Sequence, residues 1–87
     1  MSAPAASDLT LDLLPSRRAA RIVSIAWDTL APQEAKRLRA MGIDEGAEVS
    51  VVHRGIFAGR DPIALTVGRM TVAIRRIHAR AMRVTEL

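Results

Sequence analysis

Short aliphatic runs in which an apolar residue recurs at every second position, each closed off by a turn-forming residue, constrain this chain more than any other feature. Period-two alternation places the apolar side chains on one face of a strand, and runs this short build small sheets. Val49 and Val51 alternate with Ser50 and Val52 in a strand over 47–54. Ile63, Leu65 and Val67 share one face of the next strand, and Met70, Val72 and Ile74 share one face of a strand over 70–75. Between these two, Gly68-Arg69 is a two-residue hairpin with glycine first, the chemistry of a type II′ turn. Upstream, Val23, Ile25 and Trp27 fall on one face of a first strand over 22–27, ended by Asp28. Met82 and Val84 make a short last strand after a single helical turn over 76–81.

One stretch breaks the two-residue period. Over 31–41, Pro32 stands at a first helical position, Glu34 lies in the first turn, Lys36, Arg37 and Arg39 follow, and Gly42 comes just past the end. Early negative charge, late positive charge and a terminal glycine are the marks of a helix. Ala35, Leu38 and Met41 give it one narrow apolar face. Gly46 closes the turn that follows and supplies a positive φ before the second strand. Residues 1–8 are small and polar without period, which predicts a disordered tail ahead of a domain over 9–87. That domain opens on an extended or turn-like lead-in in which Leu11, Leu13 or Leu14 joins the core. The fold expected is mainly β: a small β-barrel of about five strands with one short α-helix between the first two, because closure removes exposed edges. An open sheet covered by the helix is the alternative.

Size and composition narrow the function. A chain of 87 residues leaves room for one modest core and no large catalytic cleft. Aromatic residues are 2% of it, Trp27 and Phe57 alone, so the core is aliphatic. The absence of cysteine removes disulfides, thiolate metal sites, iron–sulfur clusters and cysteine nucleophiles together. His53 and His78 stand 25 positions apart with no acidic cluster beside them, which is short of a ligand set for iron or zinc, and they read as surface or strand-edge residues. No base is set against a nucleophile, Ser24 and Ser50 sit at ordinary strand positions, and no phosphate-binding loop signature occurs. No metal, cofactor or catalytic residue is expected. No apolar run reaches the length of a membrane span, and the positive charge of the first residues follows their apolar part, the reverse of a secretory signal. A soluble, cytoplasmic protein is expected.

The net charge is +4, and twelve of the thirteen basic residues are Arg, Lys36 being the exception. That balance suits an anionic partner, whether nucleic acid, phospholipid headgroups or an acidic protein, and equally follows from the arginine usage of a high-GC genome. The basic residues are scattered from Arg17 to Arg83 without interleaved aromatics.

From Arg37, the string RLRAMGIDEGAEVSV, then GRDPIALTV, VAIRR, Ala79 and Val84, resembles the FeoA family: an Arg-Leu pair, a Met-Gly-Ile triplet, a glycine before an alternating strand, a Gly-Arg-Asp-Pro strand and a terminal apolar strand, in order. The resemblance runs over roughly 11–86. Three positions depart from the family pattern. Arg17-Arg18-Ala19-Ala20 stands where the family carries a glycine before its first strand, Glu45 rather than proline precedes Gly46, and the hairpin glycine falls one place early at Gly68. The resemblance implies an SH3-like barrel, non-enzymatic, regulating or scaffolding ferrous iron uptake in the cytosol by binding the cytoplasmic part of FeoB, a membrane permease with a GTPase domain.

The candidate partner-binding residues are Arg37, Arg39 and Met41 on the helix, and Arg54, Ile56, Phe57 and Arg60 on the glycine-flanked loop after the second strand. Ile56 and Phe57 are either a contact knob or a plug folded over the barrel end. The arginines either meet an acidic protein or form a solvated face, and Met41 is either core or an adaptable contact. The runner-up function is a small basic SH3-like module that binds nucleic acid or another protein.

Overall fold

A computed structural model describes residues 9–54 and 61–87 of the chain, with Arg54 as backbone only. The expected tail over 1–8 lies outside the described residues. Five strands, β1 (Ala19–Ile25), β2 (Glu48–Arg54), β3 (Ile63–Val67), β4 (Met70–Ile74) and β5 (Met82–Glu86), form one antiparallel sheet in the order β4-β3-β2-β1-β5. Helix α1 (Pro32–Ala40) lies between β1 and β2, and the four-residue α2 (Arg76–Ala79) lies between β4 and β5. Among the described residues, 3-10 turns at Leu11–Leu13 and Trp27–Thr29 precede β1 and α1 respectively.

The expectation of a closed barrel fails. Among the described residues β4 and β5 are the two edges of the sheet and do not pair. The physical reason lies in how the open side is filled. β1 breaks register between Ile22 and Ser24, and β2 between Val51 and His53. Each break sets one valine outward, Val23 at 43% and Val52 at 46% exposure, and an extra residue of this kind bends and twists its strand. The curled sheet is then stoppered by side chains: Leu11 and Leu14 of the lead-in, Leu38 of α1, Ile43 just after α1, and Ala79 of α2 are all fully buried with Ile22, Val51, Ile63, Leu65, Ile74, Met82 and Val84. Core closure replaces hydrogen-bonded closure.

The break in β1 also corrects the face assigned from sequence. Ala20, Ile22 and Ile25 point inward, whereas Val23 is outside and Trp27 belongs to the 3-10 turn beyond the strand. Ile22 turns its backbone to the segment after α1, donating to Ala47 O at 2.9 Å and accepting from Gly46 N–H at 2.8 Å. The other strands keep the faces that alternation assigned them. Val49 and Val51, Ile63 and Leu65, and Met82 and Val84 are buried, and the exposure of β4 rises from Ile74 to Met70 along its inner face.

Helix α1 ends as its sequence requires. Met41 N–H donates to Arg37 and Leu38 carbonyls at 3.2 and 3.1 Å, and Gly42 takes φ 89°. A Cβ at Gly42 would come within 3.3 Å of Val67 Cγ1, so this position needs glycine for space as well as for its dihedral. At the β3–β4 hairpin φ is positive at Gly68 (61°) and not at Arg69, the type II′ pattern. No helix among the described residues is long and apolar enough to cross a membrane.

Candidate functional site

One group of polar interactions on the described surface lies where α1, α2 and the start of β3 come near one another. On α1, Glu34 and Arg37 are one turn apart, and Arg37 donates from Nε and Nη2 to Glu34 Oε1 at 3.2 and 2.8 Å. Across the seam, His78 of α2 brings Nδ1 within 3.9 Å of the same oxygen. The His78 side chain is 15% exposed and its Nδ1 has no hydrogen-bond partner. Hydrogen bonding from Arg37 chiefly holds the Glu34 carboxyl below its usual range; desolvation opposes it, and the nearby charges of Arg37, His78 and Arg75 add smaller lowering effects.

Asp61, the residue before Pro62 at the entry to β3, anchors the other end of α2. Its Oδ1 accepts from the Arg76 backbone N–H at 2.7 Å, and its Oδ2 lies 3.5 Å from Arg75 Nε. The carboxylate thereby serves an N–H at the start of α2 that no residue of the turn itself can satisfy. A shallow depression lined by Asp61, Pro62 and Arg75 opens beside it. One short helix is thus hydrogen-bonded to Asp61 at its start and brings His78 near Glu34 of α1.

On the opposite flank of α1, the Arg39 guanidinium lies 4.0 Å from the centroid of the Trp27 ring, and Trp27 Nε1–H donates to Glu45 Oε2 at 3.0 Å. A cation over the ring face and a carboxylate at the N–H edge are complementary to the indole's charge distribution. Trp27 is half-buried against the core, so the pair fixes the path of the chain from β1 into α1.

Of the residues expected to bind a partner, Arg37 and Arg39 lie exposed on α1, each held by a neighbour, Glu34 and Trp27 respectively. Met41 is half-buried against the core. Arg54 ends β2, and Ile56, Phe57 and Arg60 lie outside the described residues. His53 is exposed on β2, while His78 is in the α1–α2 seam rather than at the surface. Among the described residues no three of His, Cys, Asp or Glu converge on one point. Sequence reasoning missed the contacts of Glu34, Asp61 and His78 on one flank of α1 and those of Trp27 and Glu45 on the other. The i,i+3 spacing of Glu34 and Arg37 was visible, but the partners of His78 and Asp61 are 44 and 15 residues away and emerge only with the tertiary fold.

The family model described as FeoA domain matches residues 9–86. Solved structures place the chain beside proteins of the same name. It is 34% identical to Stenotrophomonas maltophilia FeoA complexed with zinc, with TM-score 0.70 over 87% of this chain and 88% of that one. That protein is described as a prokaryotic SH3 domain protein and a possible ferrous iron transport activating factor. FeoA from Chlorobium tepidum is 29% identical, with TM-score 0.76 over 91% and 70% of the two chains. Iron(II) transport protein A from Clostridium thermocellum is 23% identical with TM-score 0.76; 91% of this chain aligns and spans 46% of that one. No curated protein matches the chain in sequence.

Proposed function

The chain belongs to the FeoA domain family, and on that premise we propose that it is a non-enzymatic accessory protein of ferrous iron uptake that acts by binding the cytoplasmic part of a FeoB permease. The family match across residues 9–86 carries this reading. It is supported by the 34% identical Stenotrophomonas maltophilia FeoA, described as a possible ferrous iron transport activating factor.

Docking uses α1 and the connection from Arg54 to Asp61. Arg37 and Arg39 present guanidinium groups whose positions are set by Glu34 and Trp27, so an acidic partner meets side chains that have already lost part of their rotamer freedom. Asp61 joins the same connection to α2, whose His78 lies 3.9 Å from Glu34 of α1. Binding to nucleic acid, the runner-up, rests on net charge alone. Arg18, Arg21, Arg37, Arg75 and Arg80 each face a carboxylate within 4 Å, and the face of Trp27 is taken by Arg39, which leaves no stacking platform among the described residues.

The test is capture of the full chain by the cytoplasmic domain of the cognate permease, with iron uptake measured in a strain lacking the chain and in the same strain complemented. Wild-type capture and uptake are expected, with both lost in the F57A/R60E double variant. Undiminished binding by that variant rejects the docking surface, and unchanged uptake without the chain rejects the transport role.

A further inference from the structure

The two edges of the sheet are not equivalent. The outer side of β5 is occupied by the lead-in: Val84 N–H donates to Leu9 O at 2.8 Å, and Thr10 bridges Arg83. Along β4, no described residue takes the corresponding place. The strand is also unguarded. Its five residues pair with β3 in unbroken register, and they include no charge, no proline and no bulge, the devices by which exposed edges usually reject another strand.

The register identifies which backbone groups face outward. Val67 and Met70 flank the two-residue turn and therefore exchange both hydrogen bonds, as do Leu65 with Val72 and Ile63 with Ile74. Thr71 and Ala73 fall at the alternate pairs, so their N–H and C=O groups point away from β3: two donors and two acceptors in line. The side chains of both are exposed, and Met70 (49% exposed) and Val72 form an apolar shoulder on the inner face.

We propose that the outer edge of β4 is a strand-addition site for an extended segment of another protein, with apolar residues at alternate positions and an acidic residue at each end. Charge selects this occupant. Arg69 stands at one end of the edge and Arg75 at the other, in extended conformation (φ −75°, ψ 146°) and with its side chain 68% exposed, its Nε 3.5 Å from Asp61 Oδ2. An antiparallel segment that engages both Thr71 and Ala73 places its first and seventh residues opposite these arginines. A second copy of this chain in that register would pair Thr71 with Ala73 of its partner and so oppose Arg69 with Arg75 twice, and like charges directly opposite are unfavourable. In the register that engages both Thr71 and Ala73, the edge discriminates against its own copy and favours acidic ends. This inference does not depend on the iron-transport reading.

The probes are two synthetic peptides, acetyl-Glu-Val-Thr-Val-Thr-Val-Glu-amide and the same sequence with Arg at both ends, titrated into the full chain while backbone amide shifts and hydrogen exchange are followed. The Glu-ended peptide is expected to shift and protect the Thr71 and Ala73 amides and to bind at least tenfold more tightly than the Arg-ended one. Ala73→Pro deletes an outward donor without touching the β3 ladder, and should abolish binding while leaving the melting temperature within a few degrees of wild type. Arg69→Glu, which needs no backbone change, should shrink or reverse the preference between the two peptides. Equal binding of both peptides, shifts confined to other strands, or protection of Thr71 and Ala73 that grows with protein concentration alone would each overturn the proposal.

Discussion

At Arg17 the chain shows what a single departure from its family's pattern requires. The backbone there has φ 67°, a left-handed conformation that costs a residue bearing a Cβ about 1–2 kcal/mol and glycine little. The turn is held because Arg17 N–H donates to Val51 O at 2.8 Å, which sets the entry into β1. The departure from the family pattern is legible in the sequence only to the stretch Arg17-Arg18-Ala19-Ala20, and the backbone dihedral singles out Arg17. Arg17→Gly is expected to stabilise the fold by roughly 0.5–1 kcal/mol, the relief of strain exceeding the extra chain entropy of glycine. Urea unfolding should show a higher midpoint with an unchanged slope, and an unchanged or lower midpoint would mean that the Arg17 side chain compensates the strain. The leucines of the lead-in make the companion case. Three candidates could not be separated by periodicity over so short a segment; the 3-10 turn buries Leu11 and Leu14 completely and leaves Leu13 65% exposed. Leu14→Ala should cost about 2–4 kcal/mol, and Leu13→Ala should stay within about 0.5 kcal/mol of wild type in the same denaturation experiment.

Among the elements, those whose signal is local were readable and those whose partner is remote were not. α1 was bounded to within a residue by Pro32 and Gly42, and β3 with its hairpin by alternation and Gly68. Unbroken alternation puts β1 over 22–27 with 23, 25 and 27 inward, whereas the strand runs over Ala19–Ile25 with 20, 22 and 25 inward, because a bulge shifts the phase of the pattern. The site suffers from the same blindness: nothing local to Glu34 announces His78. That seam makes an acid-dependent prediction. Glu34 is held below its usual value, near 4.5, by the Arg37 hydrogen bonds first and then by the charges of Arg37, His78 and Arg75. A carboxylate with a depressed folded-state pKa contributes stability that is complete above its unfolded pKa and is lost as pH falls through the folded one. The melting temperature of wild type should therefore exceed that of Glu34→Gln at pH 6, and the difference should shrink below about pH 4.5. A gap that stays constant down to pH 3 would show that the carboxylate's charge has no part in joining α1 to α2.

For the whole molecule, the decisive fact is that alternating strands do not by themselves say how a sheet ends. Five runs with one apolar face each were legible, and so was their need for a cover; whether that cover is a hydrogen-bonded seam or a plug of side chains depends on bulges and on the lead-in, which carry no periodic signal. The plug has a consequence for how stability is distributed. β1 and β2 have neighbours on both sides, and β5 is backed by Leu9 and Thr10, whereas β4 is tied by β3 alone among the described residues. Amides opened only by global unfolding should lie in β1, β2 and β3, with Val51 and Leu65 among the slowest to exchange. Thr71 and Ala73, facing outward, should exchange orders of magnitude faster than Met70 and Val72 on the same strand, whose N–H groups point to β3. An alternation of fast and slow amides along β4 distinguishes this open sheet from a closed one, in which all four would be protected; uniform protection would require a strand neighbour for β4 and would restore the barrel.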